Sequence, residues 1–310
     1  MKKIIIAIIF TLITNYSFSQ EYGCFNFTMN GATVDGRYIP NVTLNIPVSI
    51  DALPYEFTMQ LDLGAVNTTL YGNSIQPYMV KYPSLKNKID STKTFVIQNK
   101  KNIKLSGVNL KMGDVQFKTI DIGLFANYGD VYTVDSLQTK SSKHIGTIGP
   151  DLFQDKVLVI DYPNKKICIY KELPNAYSKS NFENFKMQYG RILIPFDIDG
   201  NKEMLMFDTG SSMFSLLTVR NNAKLISDGK IIDSISVNSW GNLMAVYSSK
   251  VNTDVKFAGI KLPETNVHFL DNAQFENGFK QLGIWGITGN AYFTNNTIII
   301  DYKNQKFGVQ

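Results

Sequence analysis

The chain has 310 residues, enough for one large or two medium domains with real cores. It is 44% hydrophobic and 18% charged with 22 glycines, a turn-rich globular composition that excludes a low-complexity or disordered chain. The formal net charge of +5 rests on scattered lysines rather than a stripe, and the aromatics alternate as strand residues do, which speaks against a nucleic-acid partner.

At the N-terminus, Lys2 and Lys3 precede an apolar run from Ile4 to Ile13, followed by small polar residues around Ser17 to Ser19. This reads as a secretory signal peptide over residues 1–19, too short and wrongly flanked for a membrane span. The mature chain is therefore expected to be exported, periplasmic or extracellular, with no transmembrane segment. Glu21-Tyr22-Gly23 is a poor lipobox for Cys24. In an exported protein Cys24 and Cys168 could form one disulfide, and two isolated buried thiols is the equal alternative. His144 and His268 are the only histidines and cluster with neither cysteine, so no metal site is expected.

After the signal, short runs of Val, Ile, Thr and Phe alternate with Gly, Asn and Asp turns. Asn41 to Ile50 and Tyr55 to Leu61 read as antiparallel strands joined by the Asp51–Pro54 turn. Thr68 to Tyr71 is a short apolar segment. Phe95 to Ile97 and Ile103 to Leu105 flank a polar hairpin tip, and Val108 to Met112 and Val115 to Ile122 flank Gly113-Asp114. Helix signals are weak: Ser136 to Lys143 and Pro150 to Gln154 are candidate short helices, and Asn73 to Met79 is a fainter one. The polar and aromatic segment Lys171 to Tyr189 reads as a linker, and Arg191 to Ile198 restarts the pattern of the first half. The Tyr-rich patch Tyr128 to Tyr132 reads as loop contacts.

Two stretches share one design. MLMFDTGSS, Met204 to Ser212, is an apolar strand that ends in a tight turn presenting Asp208, and FTMQLDLGA, Phe57 to Ala65, presents Asp62 in the same way. A carboxylate at the end of a buried strand is unfavourable unless it is hydrogen-bonded or functional. Further along, an ungapped offset of 140 superposes Gly146 on Gly286, Gly149 on Gly289, Phe153 on Phe293, and Ile160-Asp161-Tyr162 on Ile300-Asp301-Tyr302. The chain is thus an internal duplication with one odd acid per half. Asp161 and Asp301 read as hairpin-capping residues, and Asp151, without an acidic counterpart, as a turn residue. No P-loop, dinucleotide fingerprint or Ser-His-Asp order is present.

With these blocks in hand, MFDTGSS resembles the active-site signature of pepsin-like (bilobal) aspartic proteases, as a bacterial-type member with a non-standard first motif. The paired blocks Thr147-Ile148-Gly149 and Ile287-Thr288-Gly289 match the same family. The likeness covers nearly all of the mature chain in plan and is sharp at about four short blocks. It implies an all-β fold of two lobes related by a pseudo-twofold about a central cleft, with residues 20–180 as the lobe of Asp62 and residues 181–310 as the lobe of Asp208. It further implies an aspartic-type endopeptidase with Asp62 and Asp208 as the catalytic dyad, no cofactor, a peptide or protein substrate, and a monomer. Gly64 and Gly210 would close the turns and offer N–H groups to the carboxylates. Thr209 would hydrogen-bond across to the opposite turn, and Ser211 would bind the outer oxygen of Asp208.

Three departures from the family pattern stand out. Leu63 occupies the position matching Thr209 and removes half of the cross-lobe hydroxyl network. Ala65 replaces a serine or threonine, as in retropepsin-like relatives, which predicts a raised pKa at Asp62. The first-lobe flap around Phe95 to Leu105 has no tyrosine, leaving Phe95 or Gln98 as the cover, with Trp240 of the second half as a further substrate contact or a surface packing residue. The rival expectation is a catalytically weak or inactive pseudoprotease that binds peptides or proteins. If active, the enzyme is expected to work above pH 4.

Overall fold

The computed structural model describes residues 21–97, 100–139, 141–263 and 266–310. The signal expected over residues 1–19 lies outside them. Among the described residues three sheets of six, ten and eight strands make up the frame.

In the first half, the strand Arg37–Ile50 alternates strictly along its final stretch, with Leu44, Ile46, Val48 and Ile50 buried and the residues between them partly exposed. That period of two marks one face packed on a core. This strand pairs with Phe57–Leu61 through the expected turn, and its end also meets Lys100–Met112 at Ile50 opposite Leu110. The eight-stranded sheet therefore turns back on itself. Phe57–Leu61 lies between Arg37–Ile50 and the parallel strand Lys143–Ile148. The second half repeats this placement. Asn201–Phe207 lies between the antiparallel Arg191–Ile198 and the parallel Gly286–Thr288. Each aspartate thus follows a strand held on both sides, so its carboxyl starts from a rigid base.

The six-stranded sheet is built by both halves. Val157–Asp161 pairs antiparallel with Thr297–Asp301, and Val159 lies opposite Ile299. These two positions are equivalent under the 140-residue repeat, so the duplicated strands meet about a local two-fold. The hairpins beyond are capped identically. Asn164 and Asn304 each donate a backbone N–H and a side-chain Nδ2–H to the aspartate three residues earlier, Asp161 and Asp301. At the edge of this sheet, Glu21–Asn26 pairs with Lys166–Tyr170, which sets Cys24 opposite Cys168, and the two form a disulfide. The segment read as a linker also joins the sheets: Asn181–Asn184 pairs with Lys306–Val309, and Lys186–Gln188 with Arg191–Ile198.

The expectation of an all-β fold with two pepsin-like lobes about a central cleft is overturned. Among the described residues the chain is mixed α/β, 14% helical with four α-helices, and its sheets do not close into a bilobal cleft. The helices are Gly72–Lys81, Pro83–Lys86, Arg220–Ala223 and Ala273–Leu282. Gly72–Lys81 realises the faint signal at Asn73 to Met79. It buries Ile75, Tyr78 and Met79, positions three and four apart that share one face, although Pro77 breaks its sequence pattern. Ala273–Leu282 carries signals that sequence reading can use. Asn272 accepts the Gln274 N–H as an N-cap, Glu276 pairs with Lys280, and Gly283 ends the helix in the left-handed conformation at φ 59°. Where short helices were expected, Asp135–Gln138 and Pro150–Leu152 are single 3₁₀ turns. Among the described residues no helix is long and apolar enough to cross a membrane.

Candidate active site

The two aspartate turns face each other. In the first, the Asp62 Oδ1 accepts N–H groups from Gly64 at 3.0 Å and Ala65 at 2.9 Å. In the second, the Asp208 Oδ1 accepts them from Gly210 at 2.8 Å and Ser211 at 3.2 Å. Below the turns the Asp62 N–H bonds the Ile148 carbonyl and the Asp208 N–H bonds the Thr288 carbonyl, each at 2.9 Å. Ile148 and Thr288 are again equivalent in the repeat. Ser211 reaches Asp208 through its backbone N–H rather than through its hydroxyl.

The glycines matter for what they lack. A Cβ on Gly64 would sit 2.3 Å from the Asp208 Cγ, and one on Gly210 would sit 2.7 Å from the Asp62 Cγ. Each turn is cut back where the opposite carboxyl enters, so neither position tolerates a side chain.

The carboxyls hydrogen-bond each other, and burial pushes both pKa values up. Asp62 lies well above the ordinary carboxylate range, through burial first and then the charge of Asp208, against which the Ala65 and Gly64 N–H groups work. Asp208 rises less. Its burial is opposed by the hydrogen bond from Asp62, by the Gly210 and Ser211 N–H groups and by the charge of Arg191. Two buried carboxyls this close share one proton and titrate as a pair, with the stronger upward push at Asp62.

Thr209 bridges the halves as expected. Fully buried, its Oγ1 accepts the Leu63 N–H at 2.9 Å and donates to the Leu61 carbonyl at 2.8 Å. Leu63 packs in the apolar core with no hydroxyl to return the contact. Other bonds support the turns. The Arg191 Nε donates to the Gly64 carbonyl at 2.9 Å, and the Ser212 hydroxyl donates to the Asn41 carbonyl at 2.8 Å. The Asn290 Nδ2 holds the Thr209 carbonyl and the Ser212 Oγ. On the other side Asp151 accepts both the N–H and the hydroxyl of Thr68, which makes it a turn-holding residue.

A cavity of about 360 Å³ opens above the pair, with Asp62 and Asp208 in its lining. Two exchanged hairpins cover it. The Thr28–Val34/Arg37–Ile50 hairpin contributes Val34, Val42 and Thr43, and its tip is fastened to the second half. There Arg37 bonds the Asp233 carboxylate and the Ser234 carbonyl, each at 2.7 Å, and the Ser236 N–H donates to Asp35 at 2.6 Å. In return the Asp233–Ser239/Asn242–Lys250 hairpin carries Trp240 across to the first half. Its ring lies 6.3 Å from Tyr71, 5.9 Å from Tyr128 and 6.0 Å from Phe125. Trp240 therefore lines the cavity rather than packing at a remote surface.

Phe95 lies elsewhere. Buried against Gly123, it lines a neighbouring cavity with Gly64 and Ala65 and is absent from the lining around the acids. Gln98 lies outside the described residues. Tyr71, Tyr128, Arg191 and the first covering hairpin are additions that sequence reading passed over. Asp35-Gly36, with φ 49° and 75°, is the hairpin dipeptide that announces that cover. No comparable signal marks Arg191.

No family model matches the chain, and no curated protein is significantly similar to it.

Proposed function

We propose that the protein is an aspartic endopeptidase in which Asp62 and Asp208 activate a water molecule against a peptide bond. The observation that carries this reading is the reciprocal pair of turns, each trimmed to glycine where the opposite carboxyl approaches, holding two hydrogen-bonded carboxyls on the floor of one cavity. Its affinity to pepsin-like aspartic proteases rests on the MFDTGSS block and the duplicated glycine blocks.

Asp208, as the ionised member, takes a proton from water, and the water oxygen bonds the peptide carbonyl carbon. Asp62 gives its proton to the carbonyl oxygen. Collapse of the gem-diol adduct breaks the C–N bond, the proton held by Asp208 leaves on the amine, and one hydroxyl proton of the adduct returns to Asp62, which yields the new carboxyl group and restores the starting pair. No covalent enzyme intermediate forms. Met213, Phe214, Leu217 and Ile287 in the lining suit a large apolar side chain on the Asp208 side.

The second reading, a weak or inactive peptide-binding relative, is favoured by one observation: Thr209 supplies both cross-half hydroxyl bonds and Leu63 returns none. Cleavage of a randomised, internally quenched peptide library by the mature protein from pH 3 to 8 separates the two. The enzyme reading expects turnover that Asp62→Asn and Asp208→Asn each reduce by about 10³-fold or more. Peptide binding without turnover at any pH would replace it with the binding reading.

A further inference from the structure

Trp240 divides the space beside the aspartates. On one side is the apolar cavity over Asp62 and Asp208. On the other lies a second cavity of about 240 Å³, which shares Trp240 and Ser239 with the first and is floored by Gly64 and Ala65 of the Asp62 turn. Its lining contains one charged residue, Arg191, and no acid. The Nε of this half-buried guanidinium is fixed on the Gly64 carbonyl at 2.9 Å. Among the described residues no carboxylate lies within ion-pair distance of Arg191. A third hollow continues past Trp240 and Asn242, and its charged lining residues are Lys100 and Lys101, again with no acid. The polar side chains of Asn67 and Asn242 also line the second cavity, while the buried Thr69 hydroxyl donates to the Asn67 carbonyl at 3.1 Å.

We infer that this second cavity is a substrate pocket in which Arg191 receives a carboxylate, so that the preferred peptide carries a large apolar side chain on the Asp208 side of Trp240 and an acidic group on the Asp62-turn side. The inference rests on the peptidase reading for its chemistry, but the pocket stands on its own geometry. Arg191 is suited to the task because a guanidinium anchored through Nε keeps a planar pair of Nη donors that match a carboxylate. Burial reduces the screening that makes exposed ion pairs weak. The bond to Gly64 also couples occupancy to the turn that carries Asp62, so a bound acid sits in fixed register with the dyad. An acidic side chain and a C-terminal carboxylate offer the same chemistry, and the probes must separate them.

The test uses acetylated, amidated hexapeptides with one central leucine and a glutamate moved from one side of it to the other. Each is paired with its glutamine twin, and one further glutamine twin keeps a free C-terminal carboxylate. Binding to the mature protein is read by tryptophan fluorescence and cleavage separately by mass spectrometry. One glutamate position should bind about 10-fold tighter than its twin. Arg191→Gln should erase that preference, Arg191→Lys should keep part of it, and Arg191→Glu should transfer it to lysine. Ser239→Asp, which adds a carboxylate to the lining shared by the two cavities, should weaken binding of the glutamate peptide more than of its glutamine twin. A gain seen only with the free carboxylate assigns the pocket to a chain end. Equal binding of all twins, or a glutamate preference that survives Arg191→Gln, overturns the inference. Glutamate-selective binding with no cleavage would instead overturn the peptidase reading and leave the pocket in place.

Discussion

The two aspartate turns have the same backbone and different chemistry. Asp62-Leu63-Gly64-Ala65 and Asp208-Thr209-Gly210-Ser211 each direct two N–H groups at one carboxyl oxygen and each hang from the equivalent carbonyl. The second turn adds hydroxyls and reaches across to its twin, and its carboxyl is the one on which the charge of Arg191 acts. The first offers an apolar side chain to the core and is held from outside, by Thr209 and by Arg191. Backbone geometry therefore makes the pair, and side chains make it unequal. Inequality is what a general acid and a general base sharing one proton require.

Substituting the glycines tests the symmetric part and should have the largest effect. Gly64→Ala drives a methyl into the Asp208 carboxyl, and Gly210→Ala does the same to Asp62 with slightly more room. Each should lower kcat/KM by about 10²-fold or more, since small displacements of reacting groups are that damaging, with Gly64→Ala the worse of the two. Equal activity to wild type in either variant would show that the carboxyls need not face each other.

The asymmetric clamp comes next. Thr209→Val strands the buried Leu63 N–H and Leu61 carbonyl, and should destabilise the fold by about 2–4 kcal/mol in urea unfolding. Leu63→Ala should lose a comparable about 2–5 kcal/mol, but through a cavity in the core. The two are told apart by the pH–rate profile. Thr209→Val should shift it because the turns move relative to each other, whereas Leu63→Ala should leave its shape intact.

The gentlest comparison is the pH dependence of stability. Both carboxyls have pKa values raised by folding, Asp62 more than Asp208. Between the ordinary value of 3.8 and the raised value, the folded state binds more protons than the unfolded state, so stability falls as pH rises through that window. Asp62→Asn should therefore raise Tm at neutral pH and leave it unchanged below the ordinary carboxylate range. Asp208→Asn should do the same to a smaller extent. The reverse order, measured by thermal melts from pH 3 to 8, would place the shared proton on Asp208. If Asp208 is the general base, activity should fall at acid pH as that carboxyl takes up a proton, and its raised pKa moves this limb upward.

Much of the site was legible because it is local. An apolar strand that runs into Asp-x-Gly states its own turn, and the later blocks that repeat at an offset of 140 show that each half carries one such turn ahead of its glycine block. The helices were harder. Gly72–Lys81 hides its periodicity behind Pro77, and Pro83–Lys86 and Arg220–Ala223 are single turns too short to show a period. That is why a strand-dominated sequence with a resemblance to a bilobal family points to an all-β fold of two lobes about a central cleft, which the helices overturn. The cover is a different matter. Trp240, from a hairpin of the second half, lines the cavity over the aspartates together with Tyr71 and Tyr128, whereas Phe95 lines the neighbouring one, and the exchange of hairpins between halves is not written in the spacing of either.

What the sequence determined by itself is the pair of acids, their tight turns and the duplication, because each is written in adjacent residues whose backbone demands are local. What only the tertiary structure decided is how burial raises the pKa of both acids, how the hairpins of the two halves are exchanged over them and what Arg191 touches. Those depend on burial and on distances between segments more than a hundred residues apart, and the energy of a charge is set by its surroundings in space rather than by its neighbours in the chain.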